Sequence, residues 1–161
     1  MVSFLTIGVV WLNHHRIFTQ VHRVDGPLLV LNLNLLLWTA LIPFPTAVVA
    51  EYLQAGGELA QTAVALYGAV FLLVGLSFGG LFAWVTRDDR LLGQLLPREV
   101  VRSTRLRFMV GAAAYTVALA LAFVSPPLAL VLHGATALYY TFDQATVPME
   151  TAPNGQGPAR V

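Results

Sequence analysis

The side chains with the clearest chemical potential are Asn13, His14 and His15, which end the first apolar stretch of the sequence. Histidine titrates near physiological pH, so these residues could move protons or form a polar network with a neighbouring helix. The simpler interpretation is a pair of interfacial histidines bonded to water and lipid headgroups. Polar groups inside a bilayer are costly, so the cluster is a candidate functional site.

Two further polar residues, Asn32 and Asn34, interrupt the next apolar stretch. Residues two apart do not share a face of a helix. We therefore expect the two amides to contact different neighbours. Hydrogen bonding between helices is the favoured interpretation for both.

The segment Pro43-Phe44-Pro45-Thr46 lies in the outer half of the same stretch. Each proline removes a backbone donor, so the carbonyls of Thr39 and Leu41 should lose their usual partners. In hydrocarbon such groups must be satisfied by a neighbour, by Thr46 or by water. A structural bend is favoured over a cation site made of the freed carbonyls.

Composition places these residues in a membrane protein. Of the 161 residues, 57% are hydrophobic and 11% are charged, against roughly 25% charged in soluble domains. A spanning helix needs about 20 apolar residues. The prediction is an all-α integral membrane bundle over residues 1–143 with a disordered tail at 144–161. Its five spanning helices are 2–18, 27–50, 60–86, 108–124 and 128–142, with a cytoplasmic segment at 87–107 that holds a surface helix.

All nine cations are arginines, and they fall in alternate connections. Positively charged loops stay cytoplasmic, which places Met1 outside the cell and the C-terminus inside it. The absence of lysine favours a bacterial gene, so a bacterial cell membrane is expected. Orientation is favoured over nucleic-acid or lipid binding as the role of the arginines in 87–107. The same rule predicts that a first, inward-starting helix is missing before Met1. The arginines are Arg16, Arg23, Arg87, Arg90, Arg98, Arg102, Arg105, Arg107 and Arg160.

Small residues recur at helical spacing in two of the predicted helices. Gly75 and Gly79 form one such pair, and Gly111, Ala114 and Ala118 form a second series. Such faces let helices approach closely in lipid. The spacing alone is compatible with packing within one subunit or between subunits.

Metal, haem and catalytic chemistry find little support. His133 falls in the outer half of the last helix, about 10 Å in depth from His14 and His15, so they cannot flank one iron. The chain has no cysteine. Recognised catalytic and phosphate-binding motifs are absent, and no cofactor, metal or enzymatic activity is expected.

An ordered set of residues in the first third of the chain resembles the potassium channels related to lysosomal transmembrane protein 175, in their short bacterial form. The set is Ser3-Phe4, Ile7-Gly8, Trp11, Asn13-His14-His15, Phe18, Asp25, Leu28-Leu29, Leu31-Asn32-Leu33, Pro43-Phe44-Pro45-Thr46 and Glu51-Tyr52.

The resemblance implies a potassium-permeable channel that passes monovalent cations passively, with six helices per subunit and four subunits around one pore. It implies that Trp11, Asn13, His14, His15, Asp25, Asn32, Pro43, Pro45 and Thr46 brace the pore helix. That helix carries Arg-x-x-x-Phe-Ser-Asp in the family, and this sequence contains no Phe-Ser-Asp. The first helix here corresponds to the family's second. The pore-lining residues are therefore expected upstream of Met1, and none can be named in this sequence.

Two other interpretations remain open. The five helices could form a non-conducting scaffold that assembles through the faces of Gly75 and Gly79 and of Ala114 and Ala118. A proton-coupled transporter or intramembrane enzyme could instead use His14, His15 and Asp25, although no paired acid lies in mid-membrane.

Overall fold

The fold consists of α-helices joined by short connections. A computed structural model describes residues 2–87 and 91–145. Apart from one isolated β-bridge between Val21 and Leu92, the ordered elements in this part of the chain are helical, which confirms the predicted all-α class. They are α1 (Val2–Phe18), α2 (Gly26–Leu41), α3 (Pro43–Tyr52), a 3-10 turn (Leu53–Ala55), α4 (Gly57–Val85), α5 (Arg98–Ala122) and α6 (Pro126–Ala145).

The stretch predicted as one bent helix over 27–50 is divided into α2 and α3 at Ile42. Pro43 has no N–H to donate to Thr39, and the Ile42 N–H takes its place on the Thr39 carbonyl at 3.2 Å. The Thr46 hydroxyl donates to the Ile42 carbonyl at 2.8 Å. Of the three alternatives for the freed carbonyls, a neighbouring residue satisfies that of Thr39, and Thr46 bonds to Ile42 instead.

Helix α5 begins ten residues before the predicted start at 108 and is continuous from Arg98. Pro97 precedes it, and neither glycine nor proline occurs again before Gly111, so nothing separates a surface helix from a spanning one. The arginines of its first turns are exposed and can reach water while the helix continues into apolar sequence.

Helix α6 extends to Ala145, past the predicted end at 142. Residues 144 and 145 of the predicted tail are therefore helical.

Several predictions fall on residues outside the described part of the chain. The rest of the predicted tail, with Arg160, lies there, as does Arg90. Met1 also lies outside the described residues, so its predicted place on the outer side of the membrane stays a prediction.

Two clusters of buried residues form the core of the bundle. The larger contains Leu28 of α2, Leu81 and Val85 of α4, and Tyr115 of α5. The smaller contains Val64, Ala122 and Ala129, from α4, α5 and α6. Near the larger cluster, the connections after α1 and α4 meet directly. The His22 N–H donates to the Leu91 carbonyl at 2.7 Å, and the Gly93 N–H donates to the Gln20 carbonyl at 3.0 Å.

Three stretches of the described chain are long and apolar enough to cross a membrane: Gly26–Ala55, Gly57–Val85 and Arg98–Ala122. The first combines α2, α3 and the 3-10 turn. Many large apolar side chains on these stretches are exposed, including Val30, Leu33 and Met109, as expected for surfaces that meet lipid. Five spans remain a prediction.

The small residues of α4 and α5 pack within the chain. A Cβ added to Gly75 would meet the Tyr115 ring at 3.6 Å, and one added to Gly79 would meet Phe108 at 3.8 Å. Ala118 is fully buried, and Gly111 lies beneath the Tyr140 hydroxyl. These contacts favour packing within one chain, and assembly of subunits through the same faces stays a prediction. Ala114 of the same series is half-buried.

Candidate functional site

The polar side chains predicted to matter lie mainly where α1, α2 and α4 meet, and Asp25 begins this site. Its carboxylate caps α2 by accepting the Leu28 N–H at 3.0 Å. The same carboxylate accepts the Trp84 indole N–H at 3.1 and 3.3 Å. The guanidinium of Arg87 lies 5.6 Å from the centre of the Trp84 ring. Asp25 thus joins the start of α2 to the end of α4.

His14 and Asn32 connect α1 to α2. Nε2 of His14 lies 2.7 Å from Oδ1 of Asn32. Because an amide oxygen only accepts, this hydrogen bond requires the tautomer with the proton on Nε2. The His14 ring also stacks on Phe18 at 4.3 Å between centroids. Stacking and the amide together hold the imidazole at the helix junction.

Asn34 connects α2 to α4, on a different side from Asn32. Its amide nitrogen donates to the Ser77 hydroxyl at 2.7 Å, and its amide oxygen accepts from the Trp38 indole at 3.2 Å. The Ser77 hydroxyl donates in turn to the Leu73 carbonyl at 2.7 Å. The prediction that the two asparagines contact different neighbours is therefore confirmed.

Asn13 and His15, which flank His14 in the sequence, make their contacts within α1. Asn13 donates to the Val9 carbonyl of its own helix at 3.0 Å. His15 is exposed and stacks on Trp11 at 5.3 Å between centroids, and the Trp11 side chain is 59% exposed. Of the three consecutive polar residues, only His14 makes a hydrogen bond to another helix among those described.

The proton-coupled interpretation needs His14, His15 and Asp25 to be connected, but each of them makes its contacts with a different residue. Asp25 bonds to Trp84 and to backbone, His14 to Asn32, and His15 stacks on Trp11. No path of hydrogen bonds links these three side chains within the described residues. The arrangement can hold helices in register.

Pro43, Pro45 and Thr46 lie away from this junction, at the break between α2 and α3. Pro45 is almost completely buried, whereas Pro43 is exposed. These residues set the direction in which α3 continues. Among the described residues, they share no hydrogen bond with Asn13, His14 or His15.

None of the residues that form this junction was predicted to line the pore. The pore-lining residues were expected upstream of Met1, and Met1 itself lies outside the described residues. The structure begins at Val2 with α1, which the resemblance equates with the family's second helix. The location of the pore wall therefore stays a prediction.

The contacts that Ser77, His133 and Gly68 make between helices were not predicted from the sequence. Ser77 was passed over within a run of small residues, although a single hydroxyl in an otherwise apolar helix is a usable signal for a hydrogen bond between helices. His133 is 3% exposed in a nest of aromatic rings, stacked on Tyr115 at 5.5 Å and edge-on to Tyr67 at 5.2 Å. A Cβ on Gly68 would lie 3.1 Å from its Nε2, so this glycine makes room for the imidazole.

Comparison with known proteins agrees with the predicted resemblance. Residues 1–43 match the model of the family described as endosomal/lysosomal potassium channel TMEM175. A protein named as a potassium channel from Streptomyces collinus is 43% identical over 152 residues, which are 94% of this chain and 73% of that protein. One from Chamaesiphon minutus, also named as a potassium channel, is 36% identical over 140 residues, 87% of this chain and 68% of its own length.

A solved structure is similar as well. The crystal structure of a lysosomal potassium-selective channel TMEM175 homolog from Chamaesiphon minutus matches with a TM-score of 0.75 and 31% sequence identity. The match covers 91% of this chain and 73% of that one. With its apolar helices and these relatives, the chain is an integral membrane protein and belongs to the TMEM175 family of potassium channels.

Proposed function

We propose that this chain is part of a subunit of a potassium-permeable channel that passes monovalent cations passively. The observation that carries the proposal is the 43% identity to a protein named as a potassium channel, over 94% of this chain. The similar fold of a potassium-selective homologue supports it. No energy source, cofactor or catalytic group is needed for such a function.

In this proposal the junction of α1, α2 and α4 braces the pore and does not line it. Its hydrogen bonds join His14 to Asn32, Asn34 to Ser77 and Asp25 to Trp84. Each bond connects two different segments of the chain. Groups committed to such bonds are poorly available to coordinate a passing ion, and they are well placed to hold helices rigid.

The pore wall is proposed to come from a helix that these 161 residues do not contain. The motif that the resemblance assigns to the constriction is absent from the sequence. Helix α1 presents an exposed apolar face that includes Phe4 and Trp11, 79% and 59% exposed. A pore helix that packed on this face would be held by α1 and, through Asn32 and Asn34, by α2 and α4.

The test is potassium flux in liposomes, with protein isolated from its native membrane and its intact mass measured alongside. Protein heavier than 17.4 kDa that dissipates a potassium gradient, but not a gradient of a large organic cation, is the expected result. Protein-free liposomes are the baseline. Native protein that passes no potassium would overturn the proposal, and a mass of 17.4 kDa with no flux would favour the scaffold interpretation instead.

A pair of asparagine variants tests the bracing role. Asn32→Ala removes the partner of His14, whereas Asn13→Ala removes only a bond within α1. The first should reduce flux more than the second at equal protein incorporation. Equal effects would show that the bond between helices is not what supports conduction.

The resemblance also implies an assembly of four subunits around one pore, and cross-linking in the membrane would test it.

A further inference from the structure

A groove of about 610 Å³ opens where α4 ends and α5 begins. Four arginines line it: Arg87 from the end of α4, and Arg98, Arg102 and Arg105 from the first turns of α5. Spacings of four and three place the last three on one face of the helix. Residues 87–107 hold six arginines against Asp88, Asp89 and Glu99, a surplus of three cations.

Two of these cations are held in place by their neighbours. Arg105 donates from Nη2 to the Thr86 hydroxyl at 3.0 Å, and that hydroxyl is itself bonded to the Phe82 carbonyl at 2.8 Å. Arg87 lies over the Trp84 ring at 5.6 Å. Cations ordered before a ligand arrives lose less conformational entropy when they bind it.

The groove becomes apolar along α5. Leu106 and Met109 line it and are 59% and 69% exposed. From Phe108 to Ala122 the helix contains no charged residue, so this end of the groove faces the hydrocarbon of the membrane. A ligand that fits the whole groove has an anionic head beside the arginines and a long apolar chain beside Met109.

We propose that this groove binds an anionic phospholipid, with the phosphate among Arg98, Arg102 and Arg105 and an acyl chain along Leu106 and Met109. Guanidinium groups bind phosphate through paired, charge-assisted hydrogen bonds. The rule that positive loops stay inside explains why arginines are on this side of the membrane. It does not require four of them around one groove that continues into apolar side chains.

Other anions fit the groove less well. A soluble phosphate or nucleotide would use the arginines and leave Leu106 and Met109 without a partner. A nucleic-acid backbone would likewise use the arginines and leave Leu106 and Met109 uncovered. Single-stranded nucleic acid is also usually bound with exposed aromatic rings for its bases, and the Trp84 ring near the groove is already covered by Arg87. The lipid alone accounts for both the charged and the apolar part.

The experiment measures binding of a fluorescent short-chain phosphatidylglycerol to the purified full chain in neutral detergent. Phosphatidylglycerol should bind at least about tenfold more tightly than the matching phosphatidylcholine, since several arginines contribute. Arg98→Gln and Arg102→Gln should each weaken binding about fivefold. Both side chains are exposed, so these variants should fold. Arg102→Lys keeps the charge but not the paired hydrogen bonds, so it should lose less affinity than Arg102→Gln but should not match the unchanged chain. Arg23→Gln is the matched control, because it removes an exposed arginine outside the groove.

The apolar half of the groove has its own test. Met109→Asn should weaken binding of the lipid and leave any binding of glycerol 3-phosphate unchanged. Three results would each overturn the proposal: equal affinity for the two lipids, an equal loss in Arg23→Gln, or displacement of the lipid by glycerol 3-phosphate at equal concentration. The last would indicate a site for a soluble phosphate.

Discussion

At the scale of single residues, Asn34 and Ser77 form the hydrogen bond that ties α2 to α4 in the middle of the bundle. The distance from the amide nitrogen to the hydroxyl oxygen is 2.7 Å. Bonds of this kind between membrane helices contribute about 0.6 kcal/mol on average and up to about 1.7 kcal/mol. The contribution is modest because the separated helices can find other partners.

A double-mutant cycle should detect this bond. The free energies of unfolding of Asn34→Ala, Ser77→Ala and the double variant, measured in micelles, should give a coupling of about 0.6 kcal/mol or more. A control cycle pairs Asn34→Ala with Thr62→Ala, since the exposed Thr62 hydroxyl bonds only to the Glu58 carbonyl of its own helix. Additive effects in the first cycle, equal to those in the control, would show that the bond contributes nothing.

At the scale of helices, the contact between α5 and α6 depends on Gly111. The Tyr140 hydroxyl donates to the Arg107 carbonyl at 2.8 Å and lies directly over this glycine. A methyl group at position 111 would overlap the Tyr140 ring. Either the hydrogen bond or the approach of the two helices must then change.

Gly111→Ala should therefore lower the free energy of unfolding by about 1–3 kcal/mol, the usual effect of overpacking. Gly134→Ala on α6 is the matched control, because its Cβ would meet nothing within 4 Å. The control should be neutral or stabilising by up to about 1 kcal/mol, since alanine is the better helix former. Unfolding in micelles checks both. Equal stability of the two variants would show that α6 adjusts freely.

At the scale of the whole molecule, the connections alternate between two ends. Residues 20–23 and 91–93 bond to each other at the basic end. Leu53 and the end of α5 pack at the other, around Val64 and Ala129. This pairing agrees with the distribution of arginines, which are excluded from the connections near 53–61 and 123–127.

Labelling of introduced cysteines should show which side of the membrane each connection faces. The chain has no cysteine, so single substitutions at the exposed Gln20, Gln54 and Gln94 give unique thiols. In intact cells an impermeant maleimide should label Gln54→Cys alone, because arginine-rich connections stay inside. Permeabilisation should expose Gln20→Cys and Gln94→Cys together. Labelling of Gln20→Cys and Gln94→Cys from opposite sides would contradict the bonded loops.

Two predictions that rested on hydropathy and on helical spacing were confirmed, whereas those for the bounds of helices were less accurate. Hydropathy indicated an all-α membrane protein because a bilayer admits few other structures, and the spacing of Asn32 and Asn34 required two different partners. The start of α5 was predicted ten residues too late, because a helix continues through arginines and is bounded here only by Pro97. The break at Ile42 was expected only as a bend.

The sequence by itself determined the class of the protein, the alternation of its charged connections and its family, because each depends on local hydropathy, charge or residue identity. Only the tertiary structure decided which side chains meet. It paired Asn34 with Ser77 and Asp25 with Trp84, placed His133 among aromatic rings, and gathered four arginines around one groove. Partners far apart in the chain depend on how the helices cross, and no local pattern in a sequence specifies that.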